Sequence, residues 1–209
     1  MFSGEDFLTL KGVTLSREPL GERNLWVRLF LYDAGLVSLT SKNFMGDSEP
    51  FVWAYYDFQK KTKSRNYFVT DIDVKDDMLQ LRRSRESIKA AFEWAELITK
   101  YLPPEHPDND LLTLLYWNMR LLAQQSVPCD VPRWRFIWQW LELWGLAPDI
   151  VAFHAAKSFR DEEISLLVQV SSLSVNGVMR LLACPVNEDV RENVFFVAEK
   201  LALTFLNEI

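Results

Sequence analysis

The hydrophobic period of this chain changes near residue 83, and that change limits what it can become. Before it, apolar and polar side chains alternate in short runs: LKGVTLSREPL, NLWVRLFLYD and AGLVSLTSK, then FVWAYYDF and NYFVTDIDV. Alternation puts successive side chains on opposite faces of an extended strand, and the β-branched and aromatic residues in these runs suit a pleated surface. About five short strands joined by hairpin-like turns predict a small barrel or sandwich. Beyond residue 83, Ile88, Ala91, Phe92, Ala95, Ile98 and Leu102 recur at helical spacing. LPPEHPDND ends that helix and caps the next, which carries Leu111, Leu114, Leu115, Asn118, Leu121 and Leu122 in register. After VPCDVP and a tryptophan-rich helix come IVAFHAAKSF, then EISLLVQVSSL with VNGVMRLLA, then ENVFFVAEKLALTFLNEI. The expected class is α+β and multidomain, a small β domain over residues 1–80 and an all-α domain over 81–209.

RWRFIWQWLELWGLAPD, residues 133–149, holds four of the eight tryptophans. On a helical wheel Arg135, Gln139 and Glu142 form one narrow polar stripe, and apolar side chains cover the rest. A helix apolar almost all round is buried by neighbours on several sides, so this segment is expected at the centre of the helical domain. Gly145 is placed to end it at positive φ, and Pro148 prevents its resumption.

Apolar content of 49% and charged content of 25% are those of an ordinary globular protein. MFSGEDFLTL has neither a basic n-region nor an apolar h-region, so no secretory signal is expected. Gln139 and Glu142 interrupt the best candidate for a membrane span. Cys129 and Cys184 stand apart with no C-x-x-C partner and read as thiols of a reducing compartment, with a single disulfide as the alternative. His106 and His154 share no metal-ligand spacing with each other or with a cysteine, which leaves zinc unsupported. Phosphate-cradle and nucleophile-elbow motifs are missing, and seven scattered glycines are too few for the former. No catalytic residue and no cofactor are expected.

Net charge is −6 with a pI near 5.1, which argues against indiscriminate phosphate binding. The cations are nonetheless clustered. QKKTKSR carries Lys60, Lys61, Lys63 and Arg65, and LRRSRESIK carries Arg82, Arg83, Arg85 and Lys89, with acidic DIDVKDD between them. An OB-like barrel would use such cations along a phosphate backbone and aromatics as stacking platforms. Candidate phosphate contacts are Arg28, Lys42, Lys60, Lys61, Lys63 and Arg65; candidate stacking groups are Trp26, Phe44, Trp53, Tyr55, Tyr56 and Tyr67. Period 2 allows only one of the sets Trp53/Tyr55 and Val52/Ala54/Tyr56 to face outward.

Four pieces in order resemble the bacterial RecO family of recombination mediators. LKGVTLSREPLGERNLWVRLFLYDAGLVSLTSK is similar to the opening strands of its OB-fold, with Gly12, Val13, Gly21, Glu22, Asn24, Phe30, Gly35, Val37 and Ser38 in the matching places. EPFVWAYYDF resembles the family's Q-P-F strand, with Glu49 in place of Gln. WAELITKYLPPEHPDNDLLTLL resembles its helical A-E-L-[IV]-x-x-x-L-P-E passage, and LELWGLAPDI its L-L-x-x-x-G-[YL]-x-P-x-L signature. IVAFHAAKSF holds no cysteine where many members begin a zinc site, so the resemblance is to a zinc-free variant. The loop after the third strand, KNFMGDSE, is shorter than in the family and bears acids.

The resemblance implies an OB-fold-like barrel followed by a helical domain, and a non-enzymatic role in DNA repair and recombination in the bacterial cytoplasm, at the nucleoid. It implies binding of single- and double-stranded DNA, annealing of complementary strands, and loading of RecA together with RecR and single-stranded-DNA-binding protein. With the shortened loop, DNA contacts are expected at residues 60–65 and at Arg82, Arg83 and Arg85. The acidic C-terminal tail of single-stranded-DNA-binding protein wants an apolar pocket with an arginine at its mouth; Arg120, Arg133 and Arg135 are the candidates. The alternative is a protein-interaction adaptor of the same architecture with weak or lost DNA binding.

Overall fold

A computed structural model describes residues 7–20, 22, 24–42, 49–60, 67–124, 126–157, 159–183 and 194–207, with backbone alone at 41, 42, 60 and 67. The chain divides into two compact units, residues 1–112 and 113–209. The first holds an antiparallel sheet of β1 (Phe7–Leu20), β2 (Asn24–Leu31), β3 (Gly35–Lys42), β4 (Trp53–Lys60) and β5 (Tyr67–Asp76). It also contains a 3-10 turn (Leu79–Arg83) and α1 (Arg85–Tyr101). The change from strand to helix thus follows β5, while α1 belongs to the same compact unit as the sheet.

Strand order is β3-β2-β1-β4-β5. Three consecutive strands and a fourth that returns beside the first make a Greek key, with β5 added as a hairpin. The long β1 serves two partners, pairing with β4 over residues 7–13 and with β2 over 12–20. Gly12 sits at the hand-over, where a Cβ would stand 2.2 Å from the Phe30 carbonyl oxygen. Only a residue without a side chain permits that approach. A bulge between Thr14 and Ser16 bends the strand further. The sheet is an open ladder among the described residues, though β3 and β5 at its two edges bring Cα atoms within 8 Å of each other.

Alternation sorts the side chains as the sequence requires. Val27, Leu29, Leu31, Val37, Leu39, Tyr56 and Phe58 form one apolar layer inside the curl of the sheet. Tyr56 is fully buried, donates to the Val52 carbonyl (3.1 Å) and shares a 2.9 Å hydrogen bond with Thr14 Oγ1. Burial pushes its phenol up to about 12, the Thr14 bonds opposing. Outside the curl, α1 lies against β1, with Phe92 edge-on to Phe51 (4.9 Å between centroids). Ser84 caps α1 by accepting from Ser87 N–H at 3.2 Å.

The division between units falls inside α2 (Asn109–Leu122). The second unit continues with α3 (Asp130–Leu143), α4 (Ile150–Ala156), α5 (Asp161–Ser172), α6 (Val175–Leu182) and α7 (Val194–Asn207). The tryptophan-rich segment is α3, and Trp134, Phe136, Ile137, Trp138, Trp140 and Leu141 on it are all buried. α7 runs along it, α5 touches another side, and Trp134 stacks on Trp138 at 6.1 Å. Gly145 follows at φ 70° and ends the helix as its position predicts. The stretch 161–182 breaks into α5 and α6. Ser174 accepts from Gly177 N–H at 3.2 Å to start α6, and the polar stripe of α3 takes up the last carbonyls of α5.

Candidate nucleic-acid interface

On β2, pleating sends Trp26 and Arg28 to the convex face of the sheet. Trp26 is 37% exposed, flanked by Glu18 of β1 and Thr40 of β3. Arg28 is half-buried beside Ser38, and its Nη1 donates to Thr99 Oγ1 of α1 at 3.3 Å. Lys42 ends β3 opposite Asn24. Strands β2 and β3 contain no acidic residue.

The β4–β5 part of the same face is different. Tyr55 is exposed, between Lys11 of β1 and Asp73 of β5, with Lys75 Nζ 5.4 Å from its ring centroid. Trp53 is half-buried one alternation away, opposite Val13 and Asp76. Asp57 stands directly opposite Asp71, and Thr9 Oγ1 donates to Asp57 at 2.6 Å. Lys75 pairs with Asp73. Facing carboxylates repel one another and a phosphate backbone alike. Tyr55 therefore sits among three acids that the sequence reading, following cations and aromatics, did not place on its face. Tyr56 points the other way, into the core.

The two basic clusters lie at opposite ends of the β4–β5 hairpin. Lys60 ends β4 opposite Tyr67, while Asp76, which leads to the arginine cluster, pairs with Trp53 at the start of β4. Seven strand steps separate these ends, about 23 Å at the usual rise. Lys61, Lys63, Arg65 and Phe44 lie outside the described residues. At the other end Arg83 and Arg85 are exposed. Arg82 donates to the Asp77 and Pro50 carbonyls (2.8 and 3.0 Å) and lies 3.7 Å from Glu49. Glu49 also binds Arg17 at 2.7 Å. Glu49 thus holds two arginines together, and Arg17 has no counterpart in the sequence reading, which treated the first strand only by its alternation.

In the helical unit, the three arginines considered for tail docking differ sharply. Arg135 is buried. Its Nη1 donates to Asn118 Oδ1 (2.7 Å), Nε to the Val170 carbonyl (3.1 Å) and Nη2 to the Leu173 carbonyl (2.9 Å). Gln139 adds a bond to the Ser171 carbonyl at 2.7 Å. The polar stripe of α3 is thus a C-cap for α5, satisfying carbonyls that a helix leaves without internal partners. Desolvation lowers the Arg135 pKa to about 10, Glu142 opposing. Arg133 Nε binds both oxygens of the buried Glu199 carboxylate at 3.1 and 3.2 Å. Arg120 is exposed on α2, one turn from Trp117, which is 51% exposed. Trp117 falls to one side of the leucine register, about 100° from its centre on a helical wheel, so the pattern alone did not mark it as exposed.

Among the described residues no group of three His, Cys, Asp or Glu could hold a metal ion, and no helix is long and apolar enough to cross a membrane. No protein-family model matches the chain, and no curated protein matches it.

Proposed function

We propose that the chain is a non-enzymatic mediator of recombinational DNA repair that binds single-stranded DNA through its β unit and a protein partner through its helical unit. It would act in the bacterial cytoplasm with RecR and single-stranded-DNA-binding protein, promoting annealing and recombinase loading. The observation that carries the reading is the Greek-key sheet with its two edges drawn close together. Closing β3 on β5 turns that order into the ring β1-β2-β3-β5-β4, a five-stranded Greek-key barrel of the kind that binds oligonucleotides on strands 2 and 3 and in the flanking loops. On those strands Trp26 is the exposed stacking group, Arg28 follows two residues on, and Lys42 ends β3; Lys60 ends β4, and Lys61, Lys63 and Arg65 come next in the sequence. Double-stranded DNA would meet the same cations. For the acidic protein tail, Arg120 is the most exposed of the three candidate arginines and lies one turn from exposed Trp117.

A second reading, an interaction adaptor with weak or lost DNA binding, is favoured by Asp57, Asp71 and Asp73 between the two basic clusters. Fluorescence anisotropy of labelled single-stranded DNA, at two salt concentrations, separates the two. The mediator reading expects micromolar or tighter binding that weakens with salt and collapses when Lys60, Lys61, Lys63 and Arg65 become alanine. If all four contact phosphate, the logarithmic salt slope falls by about 3, at roughly 0.7 per contact. Absence of binding at low salt would overturn it in favour of the adaptor.

A further inference from the structure

His154 on α4 has no exposed surface, yet neither Nδ1 nor Nε2 finds a hydrogen-bond partner among the described residues. Four aromatic rings enclose it. Phe153 and Phe159 stand at 5.0 Å, Trp138 at 5.3 Å and Trp134 at 6.4 Å between centroids. Trp134 Nε1 is likewise buried without a hydrogen bond. A buried imidazole would ordinarily give its proton to a carbonyl or carboxylate, and leaving both nitrogens unsatisfied is unfavourable even when the ring is neutral. The site tolerates a neutral ring and offers a charged one no hydrogen-bond acceptor for either N–H.

Charges on the surrounding elements are engaged elsewhere. On α3, Arg133 binds Glu199 of α7, Arg135 binds Asn118 and the end of α5, and Glu142 accepts from Trp138 Nε1 at 2.9 Å. Asp130 begins α3, one turn before Trp134. On α5, Glu163 pairs with Arg160 while Asp161 and Glu162 are exposed. Lys200 of α7 lies over Phe196, and Lys157 after α4 is exposed. Burial alone lowers the His154 pKa, to about 4, with no charged neighbour contributing.

We propose that the His154 cage is an acid-operated release, in which protonation drives the imidazole out of the rings and frees α4 and the Phe159 turn from α3. The sign follows from linkage. A histidine that binds protons less well when caged favours the open form as pH falls below its free value of 6.5. Opening then becomes up to tenfold more favourable per pH unit between these values, and about 160-fold in all by pH 4. Asp130 and Glu142, whose carboxyls burial raises, work the other way, since they bind protons more readily in the closed form. A comparison with a His154 variant is therefore needed to isolate the effect.

The experiment uses the full chain. Histidine-labelled protein shows two imidazoles, and His106→Gln assigns them. The proposal expects the folded His154 resonance to remain neutral at pH 5.5. It also expects amide protection in α4, corrected for intrinsic exchange, to fall about fifteenfold between pH 6.5 and 5.0, and not to fall over that range in His154→Phe. Parallel loss of protection in wild type and variant would overturn the proposal. So would titration of folded His154 near 6.5, a measurement on the wild type that holds even where the variant fails to fold.

Discussion

Replacing Arg135 by methionine keeps the apolar stem and removes the guanidinium from the junction of α2, α3 and α5. Three charge-assisted bonds disappear, to Asn118 Oδ1 and to the Val170 and Leu173 carbonyls. Each contributes about 1.5–3 kcal/mol net, so the loss is about 5–9 kcal/mol. Against it stands relief from burying the cation. The fall of its pKa from 12.5 to about 10 corresponds to about 3 kcal/mol at 1.36 kcal/mol per unit. The expected outcome is a destabilisation of about 2–6 kcal/mol, which spans the range found when one partner of a buried ionic pair is removed. Urea unfolding of Arg135→Met, Asn118→Leu and the double variant, followed by tryptophan fluorescence, supplies the measurement. The single losses should sum to at least 1 kcal/mol more than the double variant loses, because both act on one network. If Arg135→Met unfolds within 0.5 kcal/mol of wild type and lowers only affinity for an acidic peptide, the brace is refuted and Arg135 is a docking group.

Two further outcomes test the sheet. Trp26→Ala should weaken single-stranded DNA binding by about 1–3 kcal/mol, or 5- to 150-fold, for one stacked base; Tyr55→Ala, among its acids, should leave affinity within twofold by anisotropy. Asp71→Asn removes the charge opposite Asp57 while an amide oxygen can still accept from Ile72 N–H. It should stabilise the protein by about 0.2–1 kcal/mol at low salt, and the gain should shrink in urea titrations run at 1 M salt.

The order of strands and helices was legible because each follows from a local period, and α3 could be placed at the centre because from Trp134 onward only Arg135, Gln139 and Glu142 are polar. What those polar positions do was not legible. Arg135 and Gln139 look like any solvent-facing stripe until α5 is known to end against them, and the end of α5 is itself invisible in EISLLVQVSSLSVNGVMRLLA, where the apolar pattern runs on through Ser174. Each feature depends on the other, and a local pattern contains neither. The pairing of Asp57 with Asp71 is hidden for a similar reason. It is a matter of register between β4 and β5, offset by the bulges at Trp53/Ala54 and Asp57/Phe58, and one residue of slip would turn a carboxylate to the other face. Tyr56, by contrast, was separable from Tyr55 by alternation alone.

The arrangement of charge narrows how a nucleic-acid strand could lie on the β unit. A path along β4–β5 from Lys60 to Asp76, where the chain turns toward the arginines, covers about 23 Å and passes Asp57, Asp71 and Asp73. The nearest acid, Asp57, stands three strand steps or about 10 Å from Lys60, a little over one screening length of about 8 Å at physiological salt, so the basic ends offset the acids only in part. A path over β2 and β3 meets no acid on those strands and passes Trp26, Arg28, Ser38 and Thr40, with Glu18 of β1 at its margin. The acids would then act as a border that limits a bound strand to β2, β3 and the Lys60 end of the β4–β5 hairpin, and the low net affinity expected of a chain with charge −6 becomes a matter of few contacts on a restricted face. On this layout the arginines at 82, 83 and 85 would contribute least to binding a short oligonucleotide. Arg82 is already divided between Glu49 and two backbone carbonyls, and its first effect is to fix the segment between β5 and α1.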